Sequence, residues 1–117
     1  MEELENTFIE EYVGAQEQLD KERYKNATIL FSKSLFALCD LLLEKKLKRL
    51  PKNHTERFRM LEEYLQEAYK VVDGIFSNYT DAYSKPVLKE SCENIKDGIK
   101  KITNTNEVSE KIKEIAG

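Results

Sequence analysis

The side chains best suited to chemistry lie in the segment KRLPKNHTERF, which contains His54, the single histidine of the chain. Histidine can act as both acid and base near neutral pH, because its unperturbed pKa is about 6.5. Arg49 precedes it, and an arginine can stabilise charge that builds up on a phosphate group through paired hydrogen bonds. Arg49 and His54 are therefore candidate catalytic residues for metal-independent cleavage of RNA. The alternative is that His54 is only a polar residue near the start of a helix.

The surrounding charges suggest a binding surface. The net charge of −3 indicates no affinity of the whole chain for nucleic acid or membranes, but residues 45–59 hold seven bases against one acid, Glu56. Such a cluster can attract a polyanion. The candidate residues for binding RNA or a nucleotide are Lys45, Lys48, Lys52, Asn53, Arg57 and Arg59, together with Tyr83 from a later turn. The alternative is a solvated helix end followed by a loop.

Other kinds of site find little support in the sequence. Because His54 stands alone among scattered carboxylates, we predict no metal site, and we expect no cofactor. Cys39 and Cys92 lack the spacing of metal ligands and lie within helical patterns, so we expect buried free thiols. Asp40 lies on an otherwise apolar helix. Two interpretations stay open for it: an exposed carboxylate, or an inward one that pairs with a base of the next helix.

The helices that must position these residues follow from the spacing of the apolar side chains, which recur every three or four positions. The repeating segments cover about residues 4–19, 22–48, 58–79 and 88–102, and a short one covers 108–115. Pro51 ends the second helix, because the residue before a proline is pushed out of the helical conformation. Asn53 or Thr55 is expected to cap the third helix, and Ser84 the fourth.

Four long helices with short connections predict an all-α fold, namely an antiparallel up-and-down four-helix bundle with a short extra C-terminal helix. The length of 117 residues fits a single domain over 1–117. The N-terminus is acidic and no apolar run reaches the roughly 20 residues of a membrane span, so we expect a cytoplasmic protein without membrane contact. Ile9 and Val13 widen the apolar face of the first helix, which either neighbouring helices or a second subunit would cover.

Several motifs occur in a familiar order. Glu22-Arg23-Tyr24 and then Ala27 open the second helix, which continues as ILFSKSLFALCDLLLEKK; the turn PKNH and the stretch NYTDAYSKP follow, and then an apolar-striped fourth helix. Over roughly residues 4–103 this pattern resembles the HEPN superfamily, small all-α domains of archaea and bacteria, and its short stand-alone members most closely. The resemblance implies a four-helix bundle with an extra helix that forms a homodimer.

The resemblance also implies a function. Many HEPN members are ribonucleases of toxin–antitoxin or defence systems that carry an Arg-x4–6-His motif at the dimer interface, and Arg49 to His54 fits this spacing. Other members lack the motif and are thought to bind RNA or nucleotides, and a frequent partner is a minimal nucleotidyltransferase. In active members the motif lies late in the chain, where this sequence has Tyr79, Asp81 and Tyr83.

We therefore expect a non-catalytic or weakly catalytic HEPN-like protein that binds RNA, a nucleotide or a minimal nucleotidyltransferase partner. Two alternatives remain. The first is a toxin-like, metal-independent endoribonuclease that uses Arg49 and His54. The second is a purely structural module for dimerisation or protein interaction.

Overall fold

The apolar stripes of the sequence form helices throughout the computed structural model, which describes residues 2–117. The helices are α1 (Glu2–Asp20), α2 (Tyr24–Leu47), α3 (His54–Tyr64), α4 (Gln66–Asp81), α5 (Lys89–Thr105) and α6 (Glu110–Ala116). Within these residues no strand occurs. The predicted all-α class and the short C-terminal helix are confirmed, but the number of helices differs from the prediction.

The second helix, α2, lies at the centre of the fold and packs against α1, α3, α4 and α5. Its side chains Phe31, Leu35, Leu38 and Leu43 are completely buried. By length and composition α2 is the one described helix that would suffice to cross a membrane, but 67% of its apolar stretch is buried inside the protein. That burial is typical of a core helix.

An antiparallel hairpin is formed by α1 and α2. The turn between them includes Glu22, which adopts the left-handed conformation with φ 60°. Near the turn, the side-chain amide of Asn26 donates to Gln18 Oε1 at 3.2 Å. Farther from it, the rings of Tyr12 and Phe31 meet edge to face with their centroids 5.3 Å apart. The residue number falls on α1 as it rises on α2, so the two helices run in opposite directions.

The prediction of one helix over 58–79 is wrong, because the chain reverses at Leu65, which has the non-helical angles φ −139° and ψ 68°. The halves α3 and α4 fold back on each other. The ring centroids of Phe58 and Phe76 lie 4.9 Å apart, whereas a straight helix would hold those residues about 27 Å apart. Folding back buries both apolar faces against each other. The stripe itself continues in phase across Leu65, so the periodicity gives no sign of the break.

The connection between α2 and α3 sets the direction of α3. The ring of Phe36 on α2 lies 4.8 Å from that of His54 at the start of α3, and Lys46 near the end of α2 donates to the carbonyl of Tyr64 at the end of α3 at 3.1 Å. Both residue numbers rise together, so α3 runs in the same general direction as α2. Residues 48–53 run back along α2 before α3 begins. The predicted bundle would make α3 the antiparallel neighbour of α2, but α3 runs parallel to it.

The start of α5 also differs from the prediction. Ser84 does not cap this helix; its N–H donates to the carbonyl of Asp81 at 3.1 Å within the turn that ends α4, and the capping position is Leu88. Farther along α5, Gly98 faces α4 so closely that a Cβ there would lie 2.8 Å from Cγ1 of Val71. The two helices therefore pack closely at a point where α5 has no side chain.

Candidate functional site

The basic segment is held in place by the end of one helix and the start of the next. Lys48 takes the left-handed conformation with φ 61°, and its N–H donates to the carbonyl of Glu44 at 2.8 Å, which ends α2. Asn53 begins α3 as predicted, because its side-chain oxygen accepts the N–H of Glu56 at 2.9 Å. The predicted binding residue Asn53 therefore has a structural role, and its side-chain oxygen is already occupied.

Asp40 and Arg57 form a two-pronged ion pair between α2 and α3. Arg57 Nε lies 2.7 Å from Asp40 Oδ1, and Nη2 lies 2.9 Å from Oδ2. The Asp40 side chain is only 16% exposed, and that of Arg57 only 12%. Of the two interpretations of Asp40, the inward carboxylate is confirmed. Arg57 was predicted to bind RNA or a nucleotide, but its guanidinium is instead directed into the protein, where it also lies 5.3 Å from the centre of the Phe36 ring.

His54 is the second partner of Arg57. The Arg57 Nη1 group lies 2.7 Å from His54 Nδ1. A guanidinium can only donate, so Nδ1 must be the unprotonated nitrogen, and the ring carries its proton on Nε2. Burial lowers the pKa of His54 below 6.5, the positive charge of Arg57 lowers it further, and Asp40 offsets part of the effect. His54 is therefore held neutral, with one nitrogen already engaged.

Aromatic rings enclose His54. Its ring centroid lies 4.8 Å from that of Phe36, 5.5 Å from that of Phe76 and 6.0 Å from that of Tyr79, each with the rings strongly inclined to each other. These contacts explain why burial contributes most to the lowered pKa of His54. We refer to Asp40, Arg57, His54 and these three aromatic residues as the polar–aromatic cluster.

Tyr83 extends this cluster to the surface. Its hydroxyl lies 3.3 Å from that of Tyr79, and 56% of the residue is exposed. The hydrogen bond with Tyr83, followed by burial, raises the pKa of Tyr79 to about 12. The Tyr79 phenol therefore stays neutral at physiological pH. The predicted binding residue Tyr83 belongs to the aromatic side of the site.

A second group of cations surrounds Glu56. Arg49 Nη1 lies 3.4 Å from Glu56 Oε1, Arg59 Nη2 lies 3.6 Å from Oε2, and the backbone N–H of Lys52 donates to Oε1 at 3.3 Å. The Glu56 side chain is 16% exposed, whereas those of Arg49 and Arg59 are 58% and 69% exposed. Among the contacts of residues 2–117, no hydrogen bond or ion pair joins Arg49 to His54. The two predicted catalytic residues thus have separate partners.

The remaining predicted binding residues lie at the end of α2 or in the connection that follows it. Lys45 Nζ lies 3.9 Å from Glu107 Oε2 and 3.4 Å from the Glu107 carbonyl, so it contacts the connection between α5 and α6. Lys48 and Lys52 have exposed side chains. We define the basic corner as Lys48, Arg49, Lys52 and Arg59, the exposed cations that follow α2 or begin α3.

Sequence reasoning missed most of the polar–aromatic cluster. The sequence does not single out Phe36 or Phe76, and it marks Tyr79 only as a residue at the late position of the HEPN motif. One signal was present, namely the single carboxylate of Asp40 inside an apolar run. The thiols Cys39 and Cys92 are buried and free, as predicted. Within residues 2–117, no group of three or more histidine, cysteine or acidic side chains is placed to hold a metal ion.

Comparison of the chain with protein-family models, with curated proteins and with solved structures finds no match. The resemblance to the HEPN superfamily stays a prediction from sequence motifs, and the function is argued from the geometry of the site.

Proposed function

We propose that this chain is a non-catalytic, HEPN-like helical protein that binds single-stranded RNA through the basic corner. The observation that carries the proposal is the convergence of donors on one carboxylate. Arg49, Arg59 and the backbone N–H of Lys52 all point to Glu56, while both arginine side chains keep more than half of their surface exposed. Guanidinium groups that converge in this way are suited to phosphate oxygens, whose charge and geometry resemble those of a carboxylate.

The state of His54 supports a role without catalysis. Cleavage of RNA by a single histidine needs a nitrogen that takes up a proton near neutral pH. In this chain Nδ1 accepts from Arg57 at 2.7 Å, and burial and the guanidinium lower the pKa of His54. The alternative ribonuclease would also need Arg49 beside His54, but Arg49 pairs with Glu56. Neither contact favours the enzyme.

The finer architecture belongs to the same proposal. We infer that α1, α2, α4 and α5 are the four helices of the predicted up-and-down bundle and that α3 is an additional helix laid along α2. The opposite directions of α1 and α2, and of α3 and α4, support this arrangement. A homodimer, a minimal nucleotidyltransferase partner, a role in toxin–antitoxin systems and a cytoplasmic location stay predictions.

RNA binding can be measured by the fluorescence anisotropy of a labelled single-stranded oligonucleotide. If each of the four cations of the basic corner contacts one phosphate, the logarithm of the affinity should fall with the logarithm of the salt concentration with a slope of about −2.8, measured between about 50 and 200 mM. Replacing both Lys52 and Arg59 with glutamine removes two of these contacts, so the slope should become shallower by about 1.4.

The matched control replaces Lys70 and Lys89 with glutamine. These lysines are 71% and 63% exposed on α4 and α5, outside the basic corner. The control should bind RNA like the wild type. Absence of RNA binding at low salt, or an equal loss in both double variants, would refute the basic corner as the binding site. Shortening of the RNA by the wild type, abolished by His54→Ala, would instead establish the ribonuclease.

A further inference from the structure

A groove that shares no residue with the basic corner has no place in the proposed function. Helices α1 and α5 both pack on α2, and the end of α6 closes one side of the space between them. The groove has a volume of about 710 Å³, which falls within the range of about 300–1,000 Å³ that is typical of binding pockets.

The floor of the groove is apolar. It includes Tyr12, which is 5% exposed, and Val13, which is 42% exposed. Leu19, Ile115 and Ala116 complete the apolar lining. Val13 is thus an exposed aliphatic side chain in the lining of a concave surface. The sequence stripe had already placed it at the edge of the apolar face of α1.

The rim of the groove is acidic. Four carboxylates line it, those of Glu17, Asp20, Glu93 and Asp97, and they outnumber by two the ammonium groups of Lys96 and Lys100. Among the residues that the structure describes, Glu17, Asp20 and Asp97 take part in no ion pair within 4.0 Å.

Among the described residues, neither of the two lysines forms an ion pair with these carboxylates. Lys96 donates to the neutral amide oxygen of Gln16 at 2.6 Å, and Glu93 pairs with Lys89 outside the groove at 3.9 Å. An occupant with a basic flank would therefore find at least three carboxylates without a charged partner. Charge complementarity of this kind favours one class of partner and repels acidic ones.

We propose that this groove docks a basic amphipathic helix of another protein. The part of α1 that lines it, from Tyr12 to Asp20, is about 12 Å long, which matches about two turns of a docked helix. Apolar side chains at positions i, i+3 or i+4 of that helix would cover Val13 and its neighbours. Lysines or arginines on its flanks would face Glu17, Asp20 and Asp97.

The probe is a labelled synthetic helical peptide of leucine and lysine, and its counterpart is the same peptide with glutamate in place of lysine. Fluorescence anisotropy should show binding of the lysine peptide alone. Val13→Arg fills the groove and adds a positive charge, so it should weaken binding by about tenfold or more, as expected when a central contact is lost. Asp97→Asn should weaken it to a smaller extent.

Each variant has a matched control. Glu10→Arg changes the charge of α1 by more than Val13→Arg does, and Glu90→Gln removes a carboxylate from α5; both residues are exposed and lie outside the groove. Both controls should bind the lysine peptide like the wild type. Because Val13 is exposed, its substitution should leave the circular dichroism spectrum unchanged.

Three outcomes would overturn the proposal. The first is the absence of binding, or equal binding of the lysine and glutamate peptides. The second is a Val13→Arg variant that binds as well as Glu10→Arg. The third is self-association of the wild type that Val13→Arg abolishes, because the groove would then hold a second copy of this chain. RNA binding by the basic corner is measured separately, so failure of one proposal leaves the other intact.

Discussion

Asp40→Asn is the substitution that tests the interior of the site most directly. It keeps the size of the side chain and one acceptor oxygen, but it removes the negative charge that faces Arg57 at 2.7 and 2.9 Å. The guanidinium, with its side chain 12% exposed, would then lie between α2 and α3 without a counterion. The new amide oxygen and His54 Nδ1, which lies 2.7 Å from Arg57 Nη1, would remain as acceptors, but neither carries a negative charge.

The expected loss of stability follows from this geometry. Removing one partner of a fully buried ion pair costs about 3–5 kcal/mol, because a buried charge is left uncompensated. Here both side chains keep some contact with solvent and the new amide still accepts one hydrogen bond. We therefore expect the free energy of unfolding to fall by about 2–3 kcal/mol. For a chain of this size, that lowers Tm by about 10 °C.

Urea and thermal denaturation at neutral pH, followed by circular dichroism, would measure this loss. The matched control is Glu67→Gln, which removes an ion pair of 4.0 Å between side chains that are 71% and 74% exposed. Such exposed pairs contribute less than about 0.5 kcal/mol. The double variant Asp40→Asn/Arg57→Met should recover part of the loss, because no unpaired charge stays buried.

The reasoning fails if Asp40→Asn and Glu67→Gln cost the same. It also fails if the losses of Asp40→Asn and Arg57→Met simply add, since two groups in direct contact should show coupling.

Two further predictions follow from the pKa of His54 and from the helix packing. Because the pKa of His54 in the folded protein lies below 6.5, the unfolded chain takes up the proton first as the pH falls. The stability that neutral His54 contributes is complete above about pH 6.5 and is lost as the pH falls through the folded pKa, so His54→Gln should flatten the decline in unfolding free energy below about pH 6.5. Arg57→Met should raise the pKa of His54, as measured by NMR. Gly98→Ala should lower the unfolding free energy by about 1 kcal/mol, because its Cβ would meet Val71 at 2.8 Å, whereas Gly74→Ala, whose Cβ would meet nothing within 4 Å, should raise it by about 0.5–1 kcal/mol. A pH profile that His54→Gln leaves unchanged would contradict the first prediction. Equal effects of the two alanine substitutions on stability would contradict the second.

The sequence predicted the helices well where one physical signal was sufficient. The apolar stripe of α2 required only local patterning, and Asn53 capped α3 as expected, but α2 already ends at the left-handed Lys48, before the expected stop at Pro51. Ser84 shows the limit of the same rule. Serine is favoured both at helix starts and in turns, and here the Ser84 N–H donates to the Asp81 carbonyl within a turn. Local preference cannot choose between the two.

The cluster around His54 could not be predicted, because it depends on contacts between distant segments. Asp40 meets Arg57 only because residues 48–53 return along α2 before α3 begins. Tyr79 reaches His54 only because the chain reverses at Leu65. Neither of these two changes in chain direction alters the spacing of the apolar residues along the sequence. Similarly, the short spacing of Arg49 and His54 suggested a shared site, although nearness along a turn does not make two side chains face each other.

Glu56 gives the basic corner a built-in counterion. Arg49 and Arg59 rest against its carboxylate, so their mutual repulsion is already relieved before any ligand arrives. A phosphate that binds these two guanidinium groups must therefore replace an acid of the protein itself, and binding there is an exchange of anions. The corner should consequently prefer a strand that offers several phosphates at once over a single free phosphate, because only repeated contacts outweigh an internal competitor that is always present.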